Sequence, residues 1–233
     1  SGEGKDRRKV KGDYYLSERE EEDLRYLAEM NKPVILILNA GGPVELTDIL
    51  EQTDNIKGIL NISQLGQEGG DALADVLLGK EVPGGKLTTT WARRYEDYPA
   101  SEEYGYLNGN LEKEKYKEGI YVGYRYFDSF DKKVMFPFGF GLSYTMFEMM
   151  CCSINMKESK IRAEVQVTNT GNEYAGKEVV QIYVTLPQTE LEKEYKRLAG
   201  FAKTRLLKPG ETQTLTVEIP QKQLASFNEE THT

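Results

Sequence analysis

The hydrophobic pattern of this 233-residue chain changes its period once, near Met146, and that change calls for two differently built units. Ahead of it, helical spacings alternate with short apolar runs. Ser17 opens a helix with Glu20 three positions on, a capping-box spacing, and Leu24, Leu27 and Ala28 follow on one face. Pro33 to Leu38 (PVILIL) is apolar without interruption, too short for a core helix and rich in branched side chains, which predicts a strand buried on both faces. The plan then repeats: a helical stretch from Thr47 to Leu50, a strand from Gly58 to Ile62, and a helix that runs to about Leu78 with Gly79 as its stop. Strands alternating with helices predict a partial α/β sandwich with a mostly parallel sheet over residues 1–145.

Beyond Met146 the period is two. Ile161, Ala163, Val165 and Val167 alternate with polar residues, Val179 to Leu186 is an apolar strand, and Leu215, Val217 and Ile219 alternate with threonine and glutamate. Turns at Asn169-Thr170-Gly171 and Lys208-Pro209-Gly210 separate them. The expectation for residues 146–233 is an immunoglobulin-like β-sandwich of about five strands, fewer than the roughly seven of a complete one. Residues 91–142, between the two patterns, are rich in aromatics and glycine. Tyr121, Tyr124, Tyr126 and Phe127 suit either a sugar-stacking platform or a core that docks one unit on the other, whereas FPFGFG (136–141) suits close packing.

Charge and special residues exclude several function classes. A formal net charge of -8 without a long basic block lacks the footprint of phosphate binding, so nucleic acid is not an expected partner. No apolar run approaches the roughly 20 residues of a membrane-spanning helix, and no membrane is expected. The two cysteines, Cys151 and Cys152, are adjacent, and a bridge between neighbours is strained; they read as free thiols on opposite faces of a strand, at least one of them buried. The single histidine is His232, so a Ser-His or Cys-His pair or a histidine-rich metal site is hard to build, and neither metal nor cofactor is predicted. Without an initiator methionine or a signal-peptide pattern, the chain reads as a piece of a longer protein.

Three loops remain as candidates for chemistry. Glu3 lies between Gly2 and Gly4, just before Asp6-Arg7, an arrangement that suits either a mobile proton donor or a solvated turn. NAGGP (39–43) and GQEGG (66–70) follow predicted strands at the ends where layered α/β folds place ligands; the competing reading is tight turns whose glycines need positive φ.

Taken together these motifs resemble the carboxyl-terminal half of glycoside hydrolase family 3 β-glucosidases. The likeness runs from SGEGKDR at Ser1 through KPVILILNAGGPVE at Lys32, GQEGGDALADVLLGKEVPGGKL at Gly66, EGIYVGYRYFD at Glu118 and FPFGFGLSYTMF at Phe136. It continues into VTNTGNEYAGKEVVQIYV at Val167 and LKPGETQTLTVEI at Leu207, which resemble that family's fibronectin type III-like domain. The resemblance implies retaining hydrolysis of terminal β-D-glucosyl residues from a β-glucoside or small oligosaccharide. Glu3 would be the general acid/base, Asp6 and Arg7 supporting residues of its loop, with Arg7 pairing with a carboxylate, and the nucleophile an aspartate on a (β/α)8 barrel outside this chain. Asn61 to Leu65 (NISQL) departs from the aromatic that many relatives carry ahead of GQEGG. Xylosides are an alternative substrate; N-acetylglucosaminides are disfavoured by the SGEG-x-DR loop. The alternative of another class is a non-catalytic carbohydrate-binding or structural module.

Overall fold

Helix α1 (Glu18–Glu29) begins at Ser17, whose Oγ accepts the Glu20 N–H at 3.3 Å while the Glu20 carboxylate accepts the Ser17 N–H at 2.7 Å. The capping box thus forms as its spacing requires, satisfying two donors that the first turn leaves open. The computed structural model describes residues 7–104, 112, 113, 115–229 and 231. After α1 come β1 (Val34–Leu38), α2 (Thr47–Gln52), β2 (Ile56–Asn61) and α3 (Gly69–Leu77). β1 and β2 pair in parallel, and the Asn55 side chain donates to the Ala28 carbonyl at 2.6 Å, tying the end of α1 to the start of β2. α3 stops at Gly79, which sits at φ +73° with its N–H on the Val76 carbonyl, while the Lys80 N–H reaches the Asp75 carbonyl.

The core of this half gathers Leu38, Val44, Leu46 and Trp91, with Leu36, Ile59 and Phe136 against them. β1 is not buried on both faces as expected. Leu36 and Leu38 face this core, whereas Ile35 and Ile37 are 54% and 37% exposed. With period-two alternation a strand buries both faces only if both are covered, and among the described residues the packing lies on one side. A short antiparallel pair, β3 (Trp91–Ala92) with β4 (Val134–Phe136), and a two-turn helix, α4 (Tyr124–Ser129), lie in the segment rich in aromatics and glycine.

The second half is a sandwich of a three-stranded antiparallel sheet, β5 (Phe147–Lys157), β6 (Lys160–Asn169) and β9 (Thr212–Pro220) in the order β5-β6-β9, and a two-stranded one, β7 (Val179–Val184) with β8 (Arg197–Lys203). Ala163, Val165, Val167, Leu215, Val217 and Ile219, the apolar half of the alternation, are buried between the sheets with Val180 and Ala199. The architecture is therefore α/β followed by a β-sandwich.

Both cysteines are exposed, contrary to the expectation that one would be buried. They lie on β5, the edge of its sheet, at a register shift between Cys151 and Ser153 that leaves Cys152 outside the ladder. A bulge on an edge strand breaks the alternation on which that expectation rests.

Between the halves, the aromatic segment is a docking core. The Tyr124 ring packs on Phe138 and Tyr183, and its hydroxyl accepts the Leu198 N–H at 2.8 Å. FPFGFG packs closely, as its composition suggests: a Cβ at Gly139 would collide with the Gln181 amide and one at Gly141 with the Gly85 carbonyl. A cleft of about 430 Å³ opens along the seam beside Tyr124, Phe138 and Tyr183.

Candidate active site at the carboxyl edge of the parallel strands

NAGGP and GQEGG leave the carboxyl ends of β1 and β2, so the parallel pairing brings them side by side. Their glycines are not there for positive φ. None of Gly41, Gly42, Gly66, Gly69 and Gly70 has it, while Ser63, ahead of the second loop, sits at φ +50°. One of them, Gly69, instead allows close approach: a Cβ there would overlap the Leu65 side chain, whereas one at Gly41 or Gly42 would make only ordinary contacts, 3.6 Å from the Gln64 side chain and 3.4 Å from Arg7 Nη1.

Of the three predicted site residues, Glu3 and Asp6 lie outside the described residues, as does His232. Arg7 is the first residue described, and its guanidinium joins two loops. Nη1 donates to the Pro43 carbonyl of NAGGP and Nη2 to the Asp13 carbonyl, while Nε stands 3.6 Å from Asp13 Oδ1. The other carboxylate oxygen of Asp13 accepts the Arg8 N–H at 2.9 Å. Arg7 also lies over the Tyr14 ring, 5.6 Å from its centroid.

Beneath this pair is a cluster of tyrosines. Tyr14 meets Tyr15 and Tyr95 edge to face at 5.4 and 5.0 Å, and burial pushes its phenol well above the usual value, so it stays protonated. Lys9 pairs with Glu96 over the Tyr95 ring; the hydrogen bond to Glu96 raises the lysine's pKa, and the same bond lowers that of Glu96. Glu45 accepts the Tyr95 N–H at 2.8 Å and Arg94 Nη1 at 3.1 Å, which holds the 94–98 turn against the segment that leads into α2. Asp13 and Tyr14 lie outside the motifs that the sequence offers, and Pro43 belongs to one of them, NAGGP. A carboxylate six residues after an arginine carries no signal until the loop between them is closed. Among the described residues no three histidine, cysteine, aspartate or glutamate side chains gather as a metal site would require, and no helix is long and apolar enough to cross a membrane.

Residues 1–124 match the glycosyl hydrolase family 3 C-terminal domain and residues 178–233 a fibronectin type III-like domain. The chain is 41% identical over 94% of its length to β-glucosidase A of Butyrivibrio fibrisolvens and 38% identical over 92% to a β-glucosidase of Kluyveromyces marxianus; it spans 28% and 25% of those proteins. Among solved structures it resembles β-glucosidase 3B of Thermotoga neapolitana in complex with α-D-glucose, with a TM-score of 0.89 and 44% identity over 98% of this chain and 32% of that one. A β-glucosidase from Paenibacillus barengoltzii gives a TM-score of 0.91 at 37% identity, over 96% of this chain and 25% of that one.

Proposed function

The chain belongs to glycosyl hydrolase family 3, and from that membership we propose that it is the acid/base-bearing part of a retaining β-glucosidase. Glu3 protonates the departing glycosidic oxygen and then takes the proton from the water that cleaves the glycosyl-enzyme. An aspartate on a (β/α)8 barrel of the same enzyme, outside this chain, is the nucleophile, roughly 5 Å from Glu3 across the anomeric carbon. The supporting observation is the anchoring of Arg7. Arg7, four residues after Glu3 in the sequence, is held at the carboxyl edge of the parallel strands, where layered α/β folds expose their ligand sites. The substrate is a terminal β-D-glucosyl residue of a glucoside or small oligosaccharide. Residues 1–145 form the acid/base domain and residues 146–233 the fibronectin type III-like domain. Without the nucleophile, the chain alone turns over no aryl β-glucoside.

The test is Glu3→Ala in the complete enzyme. A leaving group such as dinitrophenolate departs without a proton, so its kcat/KM holds, whereas an alkyl glucoside loses about 100-fold to 10,000-fold. Azide then attacks the anomeric carbon of the accumulated glycosyl-enzyme, expels the nucleophile's carboxylate and yields β-glucosyl azide. Equal loss for both leaving groups, with no azide product, would remove Glu3 from the role.

A further inference from the structure

Buried threonines in this chain find partners for their hydroxyls, with one exception. Thr47, Thr145 and Thr204 are hydrogen-bonded through Oγ1, whereas Thr90, only 5% exposed, has a buried Oγ1 with no partner among the described residues. Its backbone is held, since the Thr90 carbonyl accepts the Tyr98 hydroxyl at 3.3 Å. A buried hydroxyl left open is costly, and in a native fold it marks a place that another molecule fills. Thr90 lines the seam cleft of about 430 Å³, a volume within the range of small-molecule pockets, about 300 to 1,000 Å³. We infer that this cleft binds a pyranose sugar unit, with Thr90 hydrogen-bonded to one of its hydroxyls, as a site independent of the acid/base role of Glu3.

The walls of the cleft suit the two kinds of surface that a sugar presents. Tyr124 and Phe138 lie at 30° to each other with ring centroids 4.8 Å apart, and Tyr183 stands at 81° to Tyr124, so the rings form two walls of a corner. A glucopyranose ring is flat and apolar across its C–H faces and polar around its edge, which matches aromatic walls with polar groups at either end. At the rim, Asp128 and Lys196 are paired at 3.2 Å and about a third exposed, with the ammonium 5.0 Å from the centre of the Tyr183 ring. One contact leaves the ammonium further donors and the carboxylate further acceptor sites, so the pair can hold two neighbouring sugar hydroxyls in opposite senses. Thr90 and Phe127 are the buried residues of the lining, so that hydroxyl, rings and ion pair follow one another from the inside of the cleft to its rim. Asp128 is the only carboxylate in the lining among the described residues; hydrolysis by two carboxylates has no place there, and the sugar is held without being cleaved.

The test reads Met149, an exposed side chain that lines the same cleft, by NMR of the complete enzyme labelled with carbon-13 at its methionine methyl groups. The probe is methyl thio-β-D-glucoside, whose sulfur linkage resists hydrolysis, and Met149→Leu assigns the signal. That signal should move along a saturating curve with half-saturation on the order of 1 mM, while the signal of Met156, at the far end of β5, stays in place. Thr90→Val keeps the shape and removes the hydroxyl; Asp128→Asn keeps the shape and removes the charge. Each should raise the half-saturating concentration by about 10-fold, the loss of one hydrogen bond in a closed site. A Met149 signal that does not move or does not saturate, a curve unchanged in either folded variant, or a tighter response to phenol than to the thioglucoside would overturn the sugar site. Thermal unfolding shows which variants are folded, and if Thr90→Val is not, Asp128→Asn at the rim decides. Because the probe is not cleaved, loss of the acid/base assignment of Glu3 would leave this result standing, and failure here would leave that assignment standing.

Discussion

Asn169 shows how a residue can look ordinary in sequence and be decisive in space. It ends β6, is fully buried, and uses its whole side-chain amide: Nδ2 donates to the Tyr174 and Leu207 carbonyls at 2.9 Å each, and Oδ1 accepts from the Thr145 hydroxyl at 2.6 Å and the Gly171 N–H at 3.0 Å. The sequence identifies Asn169-Thr170-Gly171 as a turn, and nothing in that tripeptide announces burial. Asn169→Ala should cost about 3 kcal/mol in denaturant unfolding, because several buried groups lose their partner together. Thr145→Val, which removes a single bond, should cost about 1 kcal/mol. Equal costs for the two would mean that the network is replaced by water.

At the scale of an element, α1 is the one whose start is most completely written in its residues. Ser17→Ala should destabilise the fold by about 1 kcal/mol at neutral pH. Hydrogen bonds from the Ser17 side chain and then its backbone hold the Glu20 carboxyl below the usual carboxylate range. A depressed folded pKa means that the stabilisation is present above the ordinary glutamate value, about 4.3, and is lost as pH falls through the folded value. The stability gap between the native protein and Glu20→Gln should therefore close on acidification below about pH 4, and a gap that widens there would contradict the capping geometry. β1 and β5 make the contrasting case. Their residue patterns identify them as strands, but which faces are covered depends on neighbours distant in sequence, and for Ile35, Cys151 and Cys152 the simple rules of burial pointed the wrong way.

For the molecule as a whole, the seam between the two halves is bridged by hydrogen-bonded and charged side chains beside its cleft. Lys86 Nζ, anchored in its own half on the Gly141 carbonyl at 2.7 Å, reaches Glu178 across the seam at 2.8 Å, Lys203 Nζ reaches the Gly84 carbonyl at 2.8 Å, and Gln181 donates to the Gly139 carbonyl at 3.1 Å. The Lys86 and Glu178 side chains are only 17% and 12% exposed. Glu178→Ala strands a largely buried ammonium and should cost about 2 kcal/mol or more. The native chain should unfold in a single calorimetric transition, and Gly84→Val, which drives a side chain into the Lys177 carbonyl across the seam, should split it into two. Two transitions in the native chain, unaltered by these substitutions, would show that the halves do not stabilise each other.

The sequence by itself determined the two-part architecture, the caps of α1 and α3, the core alternation of β6 and β9, and the motif that carries Glu3. These follow from local chemistry: backbone groups must be satisfied within a few residues, and side-chain periods of 3.6 and 2 place apolar groups on one side of an element. Only the tertiary structure decided that the glycines of NAGGP and GQEGG are not there for positive φ and that Gly69 makes room for Leu65, that the aromatic segment docks two units, and that Arg7 finds Asp13 and Pro43. Each of these is a meeting of residues brought together by chain closure, and a carboxylate or carbonyl acquires a partner only when the fold has delivered one to within about 3 Å.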